Sequence, residues 1–203
     1  MIAIIDYGMG NIHSVQKVIN SFAQKFVVTD NARDLGKAEK IILPGVGAFA
    51  DAIEELKKRD LSMAIIEQIK LKKPFLGICL GMQLLFNRSR EGGGAEGLGL
   101  IAGEVDRFSP ARGLKIPHIG WNQVNQTANP CRLLHGIAAG SYVYFCHSFY
   151  ALPQDCGVVA ATTDYGINFT SVVCKDNIFG VQFHPEKSQS VGLRILDNFI
   201  NLC

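Results

Sequence analysis

The stretch Pro74-Phe75-Leu76-Gly77-Ile78-Cys79-Leu80-Gly81-Met82-Gln83-Leu84-Leu85-Phe86 decides how this chain is read. It begins as a short apolar strand, turns sharply at Cys79 and continues as a helix. Gly77 lies two residues before the cysteine and Gly81 two after it. The pattern is the cysteine form of the G-x-S-x-G elbow. A sharp strand-to-helix turn strains the backbone at its apex and pushes that side chain outward. Only very small neighbours let the chain pack around such a turn. A thiol at the apex sits at the start of a helix, where partial positive charge favours the reactive thiolate. The next backbone N–H, that of Leu80, points the same way and can bind an oxyanion. On this stretch alone two readings stand level: a presented nucleophile, and a buried structural cysteine of the kind common in cores.

Working outward, the N-terminal half alternates strands with helices. Residues 2–5 form a buried strand and residues 6–11 a turn. Ile12, Val15, Val18, Ile19 and Phe22 then recur at helical spacing. Residues 26–29 and 41–43 are further strands, and the latter runs into Pro44-Gly45-Val46-Gly47-Ala48-Phe49. Ile53 and Leu56, then residues 63–71, mark helices before the strand at 75–78. This alternation implies right-handed crossovers and a mostly parallel sheet. Ligands of such sheets bind beyond the carboxyl ends of the strands, where the loops 6–11, 44–49 and Cys79 would gather. After Phe86 the pattern changes. A glycine-rich loop at 91–99 precedes strand-like runs at 98–108, 120–124, 141–149, 158–163, 169–174 and 178–183, with a hairpin turn at 175–177. Runs without intervening helices suggest antiparallel additions. Val191, Ile195, Leu196, Phe199 and Ile200 mark a final amphipathic helix that packs on the sheet. The expected architecture is therefore α/β: a mostly parallel central sheet flanked by helices, with added antiparallel strands. It forms one domain over residues 1–203, with no repeat or linker.

Bulk properties narrow the function. The 203 residues suit one domain with a sizeable core, and 48% hydrophobic with 19% charged residues describes an ordinary soluble globule. A net charge of +2 without a basic run favours neither nucleic acid nor a membrane surface. The apolar start meets Asp6 at once, too short for a signal peptide. Cys79, Cys131, Cys146, Cys156, Cys174 and Cys203 contain no C-x-x-C pair. They read as reduced thiols of a cytoplasmic protein, with no metal site.

Two glycine patterns suggest a dinucleotide site, and both fail. Gly8-x-Gly10 has His13 where the third glycine would be, and Gly92-x-Gly94-x-x-Gly97 follows a helix. Cys146 and His147 are neighbours on a strand and point to opposite faces, so they make a poor catalytic pair. His13, His118 and His135 read as surface or structural. The run Gly180-Val181-Gln182-Phe183-His184-Pro185-Glu186-Lys187 is different. In an extended segment at the end of the last strand, His184 and Glu186 face the same side. A thiol nucleophile needs a general base, and the base needs an orienting group. Cys79, His184 and Glu186 fill those roles; H-x-E alone would be a strand-end histidine and a solvated acid.

Pro44-Gly45-Val46-Gly47, Gly77-Ile78-Cys79-Leu80-Gly81-Met82-Gln83 and His184-Pro185-Glu186 together resemble a class I, triad glutamine amidotransferase. Shorter motifs narrow the likeness. Asp6-Tyr7-Gly8-Met9-Gly10-Asn11, Pro117-His118-Ile119-Gly120-Trp121-Asn122, Tyr144-Phe145-Cys146-His147-Ser148 and His184-Pro185-Glu186-Lys187-Ser188 resemble the glutaminase subunit of imidazole glycerol phosphate synthase.

The resemblance implies a mechanism. Cys79 attacks the side-chain amide of glutamine. The Leu80 N–H and one from the Val46–Gly47 stretch hold the oxyanion, and Gly45 belongs to the same substrate-binding loop. His184 moves the protons, and Glu186 orients it. Gln83 and the backbone of His147, Ser148 and Phe149 hold glutamine. No cofactor or metal is implied. The ammonia would pass to a (β/α)₈ cyclase subunit, a heterodimer partner that makes imidazole glycerol phosphate and an aminoimidazole carboxamide ribotide in histidine biosynthesis. Asn11, Trp121, Tyr144 and Lys187 would lie at that interface, although Trp121 alone also reads as a core residue. Two alternatives remain: a paralogue that feeds ammonia to a surface-sugar amination enzyme, and a non-catalytic α/β binding module.

Overall fold

The computed structural model describes residues 1–110 and 114–203. The parallel part is built first along the chain. Strand β1 (Ile2–Ile5) leads to helix α1 (Ile12–Ser21), β2 (Phe26–Thr29), α2 (Ala32–Lys37) and β3 (Lys40–Gly45). Helices α3 (Phe49–Lys58) and α4 (Leu61–Lys70) precede β4 (Phe75–Cys79). Each residue of β1 is buried, as expected of a strand covered on both faces. Alternate residues serve opposite cores. Ile2, Ile4, Ile42, Leu76 and Ile78 pack with α1 residues Val15 and Ile19, whereas Ala3, Ile5, Ile41, Leu43 and Phe75 pack with Phe49, Leu56 and Ile65 of α3 and α4.

The elbow's helix is shorter than expected. Helix α5 spans only Leu80–Gln83, and the chain is already a strand again at β5 (Phe86–Ser89). One turn aligns few peptide dipoles, so the helix field at Cys79 is weaker than the sequence suggests. The glycine-rich loop holds a 3₁₀ turn (Glu91–Gly93) and the two-residue β6 (Ala95–Glu96), which pairs back on β5. Neither β5 nor β6 has an alternating apolar pattern, so the sequence does not announce them.

The later strands are β7 (Ile101–Arg107), β8 (His118–Gln126), β9 (Ser141–His147), β10 (Phe149–Pro153), β11 (Val159–Asp164), β12 (Asn168–Lys175) and β13 (Ile178–Val181). Helix α6 (Gln189–Leu202) closes the described fold. The run expected at 141–149 is two strands. β9 pairs with β8, whereas β10 pairs with β7 and β12, so the chain changes partners at Ser148. The main sheet runs β2-β1-β3-β4-β13-β12-β10-β7-β5-β6. Its first five strands are parallel, and β13 reaches that block through the antiparallel β12–β13 hairpin. That hairpin brings the end of β13 beside the end of β4. Among the described residues no helix is long and apolar enough to cross a membrane.

Candidate active site

Cys79 is the last residue of β4 and stands at φ 55°, ψ −109°, a strained conformation for a residue with a side chain. Its glycines are dictated by contact. A Cβ on Gly77 would lie 2.5 Å from the Gly81 carbonyl oxygen, and one on Gly81 would lie 1.9 Å from the Leu43 carbonyl oxygen. The elbow therefore folds tightly on itself and against β3. Cys79 is only 6% exposed, yet it forms part of the wall of a cleft of about 290 Å³.

His184 and Glu186 meet there, though not in the manner expected. The sheet ends at Val181, three residues before His184. Pro185–Lys187 forms a 3₁₀ turn that begins on proline, and this tight turn, rather than strand alternation, brings the two side chains together. His184 Nδ1 lies 2.9 Å from Glu186 Oε1, with both side chains buried. The ring and Cys79 both line the cleft. Burial alone would push the imidazolium down. The charge and hydrogen bonds of Cys79 and Glu186 outweigh it and raise His184 to about 10. Glu186 Oε2 is buried without a hydrogen-bond partner among the described residues.

The cleft is lined by Val46, Gly47, Leu80, Gln83, His147, Ser148 and Phe149 besides Cys79 and His184. Gly45 lies behind it, where a Cβ would sit 2.5 Å from the Tyr7 hydroxyl. The Val46 N–H donates to the Met9 carbonyl oxygen at 3.2 Å, so in this conformation it is directed away from an oxyanion at Cys79. Gln83 Nε2 donates to the Phe149 carbonyl oxygen at 3.0 Å, joining the elbow to the far wall.

His147 is buried, and Cys146 beside it is exposed, as strand alternation requires. His147 Nδ1 is 2.8 Å from the Phe149 carbonyl oxygen, and its Nε2 is 3.0 Å from His118 Nδ1. His118 Nε2 lies 3.3 Å from Asn122 Nδ2. His118 is therefore a buried structural residue behind the cleft wall. Burial holds His118 down at about 4 and His147 at about 3.

Sequence reasoning missed two residues at this site. Glu91 lines the cleft while its Oε2 accepts from the Phe49 N–H at 2.8 Å, capping α3. Nothing in its glycine-rich context marked it. Gln182, fully buried, puts Nε2 3.7 Å from the Cys79 Sγ.

Of the residues expected at a partner interface, three form a surface group. Trp121 and Tyr144 are opposite each other on β8 and β9, with ring centroids 6.1 Å apart, and Lys187 Nζ stands 5.8 Å over the Tyr144 ring. Trp121 is 45% exposed, which excludes the core reading. Asn11 is the residue before α1, and α1 packs beside the Pro185–Lys187 turn.

A cysteine elbow at the end of a parallel strand, with a His–Glu pair brought beside it, is the arrangement that thiol-dependent acyl transfer needs. The profile of the glutamine amidotransferase class-I family matches residues 3–202. Similar solved structures include a glutamine amidotransferase (TM-score 0.76, 14% identity, 98% of this chain and 97% of that one). PurLQS from Thermotoga maritima is another (TM-score 0.74, 18% identity, 98% and 97%). At these identities they speak for the fold alone. The imidazole glycerol phosphate synthase subunit HisH of Syntrophotalea carbinolica is 48% identical, covering 98% of both chains. That of Moorella thermoacetica is 51% identical over 98% of this chain and 93% of its own. The chain belongs to the class-I glutamine amidotransferases and, within them, to the HisH subunits of imidazole glycerol phosphate synthase. Neither of these relatives supports the surface-sugar alternative.

Proposed function

We propose that the chain hydrolyses glutamine through Cys79, His184 and Glu186 and delivers the ammonia to a (β/α)₈ cyclase subunit as its heterodimer partner. The observation that carries this reading is the His184 ring, held by Glu186 at 2.9 Å and facing the same cleft as Cys79. The raised His184 favours the imidazolium, which carries the proton that the leaving nitrogen needs. The thiolate attacks the amide carbon, and His184 gives its proton to the nitrogen as the C–N bond breaks. Ammonia leaves and a glutamyl thioester remains. His184 then takes a proton from water, the hydroxide attacks the thioester, and the C–S bond breaks to release glutamate. Glu186 keeps the imidazole oriented and balances its positive form.

Gln83 spends both amide hydrogens on the Phe149 and Gln182 oxygens, so only its Oε1 is left to meet glutamine. Glu91 provides a carboxylate at the cleft for the substrate's ammonium group. The Leu80 N–H is one oxyanion donor, and the Val46–Gly47 segment supplies a second once it turns.

Ammonia is mostly protonated near neutral pH and would be wasted in water, which gives a reason for docking. The group of exposed Trp121 and Lys187 with half-buried Tyr144, together with Asn11, is the proposed cyclase-facing surface; aromatic residues are enriched at interfaces. The six unpaired cysteines are in keeping with a cytoplasmic protein. The test is a pull-down with the cyclase subunit followed by a glutaminase assay of the complex with the cyclase's nucleotide ligand bound. Glutamate release coupled to imidazole glycerol phosphate formation is the expected result. A ligand-loaded complex that forms without glutamine turnover would overturn the reading.

A further inference from the structure

Gln182 lies outside the triad but touches its nucleophile, and its orientation is dictated by its neighbours. The Phe149 carbonyl oxygen can only accept, so the atom of Gln83 facing it at 3.0 Å is the amide nitrogen. The second hydrogen of that nitrogen points to Gln182 Oε1, also at 3.0 Å. Gln182 must then present its own Nε2 to the Cys79 Sγ, at 3.7 Å. The contact is a hydrogen bond from nitrogen to sulfur. The Gln182 side chain has no exposure, and its backbone N–H is tied to the Ser171 carbonyl oxygen at 2.9 Å. Water neither competes for this donor nor frees it to turn away. A buried amide is retained where its hydrogen bonds are made, and here both ends are occupied.

The sulfur's other neighbours give the donor a purpose. The Cys146 carbonyl oxygen lies 4.0 Å from the Cys79 Sγ and favours the protonated thiol. His184, on the wall of the same cleft, opposes it. The one-turn α5 contributes only a small helix field. A second donor aimed at the sulfur opposes that carbonyl, and hydrogen bonds to ionised groups are the stronger kind.

We propose that Gln182 is a further catalytic residue: a fixed N–H donor, set by Gln83 and Phe149, that holds the Cys79 thiolate in place for attack. The proposal rests on Cys79 as the nucleophile.

The experiment replaces the donor while keeping the shape. Gln182→Glu retains an acceptor for Gln83 and turns an oxygen toward sulfur, and Gln182→Met removes both functions. The rate at which iodoacetamide alkylates Cys79 in the purified chain is followed from pH 5 to 10 by mass spectrometry of the Cys79 peptide. Circular dichroism and thermal melting establish that each variant is folded. Both variants should shift the profile to higher pH, with alkylation at neutral pH slowed about tenfold and nearly recovered at the alkaline end. In the complex with the cyclase, kcat with glutamine should fall at neutral pH and recover with pH, while KM stays close to wild type. A merely structural residue would lower alkylation or activity equally at all pH values. If neither Gln182 variant folds, Gln83→Glu decides, because a carboxylate at that position turns the Gln182 amide so that its oxygen faces sulfur. Folded variants with an unmoved profile overturn the proposal. A wild-type Cys79 that resists alkylation throughout the range would instead remove the reading of Cys79 as nucleophile.

Discussion

His118 Nδ1 lies 3.0 Å from His147 Nε2, and the hydrogen between them belongs to His118. The assignment follows from the far end of the chain. The Phe149 carbonyl oxygen accepts, so His147 carries its proton on Nδ1 and its Nε2 is an acceptor. His118 then donates from Nδ1, and its Nε2 accepts from Asn122. Every nitrogen is satisfied with both rings neutral, and adding a proton to either ring breaks a bond. The relay therefore fixes the wall at 147–149 only while it stays uncharged.

A pH dependence of stability follows. Both histidines are held below the ordinary value of 6.5, His118 at about 4 and His147 at about 3. Between roughly pH 4 and 6.5 the unfolded chain binds protons that the native chain refuses. Stability is therefore present above 6.5 and falls with pH, by at most about 1.4 kcal/mol per pH unit for each histidine. Urea unfolding at pH 7, 6 and 5 should show that decline. His118→Gln, which can still donate to His147 and accept from Asn122, should flatten its slope by about half. An unchanged slope would show that His118 does not titrate in this way.

Much of this was legible in the sequence, and the exceptions share a cause. The β1–β4 units, the elbow and the final helix are local patterns, with apolar periodicity and glycines at fixed offsets. The His184–Glu186 pairing was read correctly, but from extended backbone, because Pro185 opens a 3₁₀ turn that alternation cannot reveal. Glu91 and Gln182 were missed because their roles arise from long-range contacts. Glu91 caps a helix that begins 42 positions earlier, and Gln182 reaches a sulfur 103 positions away. Strand β5 lacks an alternating pattern because it forms through its pairing with β6 and β7.

Cys79→Ala separates chemistry from assembly. Glutamine-dependent synthesis by the cyclase complex should fall by at least a thousandfold. Synthesis from added ammonium salts should remain, since free ammonia bypasses the thiol. Loss of both would make Cys79 structural. The same variant tests the ion pair, because His184 is raised chiefly by its sulfur neighbour against the opposing effect of burial. Without the sulfur its imidazole signal in NMR should titrate well below about 10, with Glu186 alone left to hold it up.

Within the triad the losses should be ordered. His184→Ala removes both proton transfers and should approach Cys79→Ala in severity. Glu186→Gln keeps a partner for Nδ1 and loses only charge and part of the orientation, so its kcat should lie well above that of His184→Ala. A lower kcat for Glu186→Gln would reverse the roles assigned here.

The isolated chain should be a poor glutaminase, switched on by its partner. The Val46 N–H is occupied by the Met9 carbonyl oxygen at 3.2 Å, and the adjoining Gly47 stands at φ +96°. Glycine on both sides of Val46 lets the peptide turn at low conformational cost. Turning it releases the bond to Met9 and offers a donor at the cleft. An absent oxyanion donor costs on the order of 10²–10³ in kcat. Val46 is 42% exposed, an accessible apolar side chain beside the cleft that a docking partner can press upon. The cyclase loaded with its nucleotide ligand would then shift the population toward the turned state. Glutamine turnover should be compared for the chain alone, for the chain with cyclase, and for that complex with ligand bound. The expected result is a rise of two orders of magnitude or more that requires the ligand-loaded cyclase. Equal rates in all three would mean that the Val46–Met9 bond does not restrain catalysis.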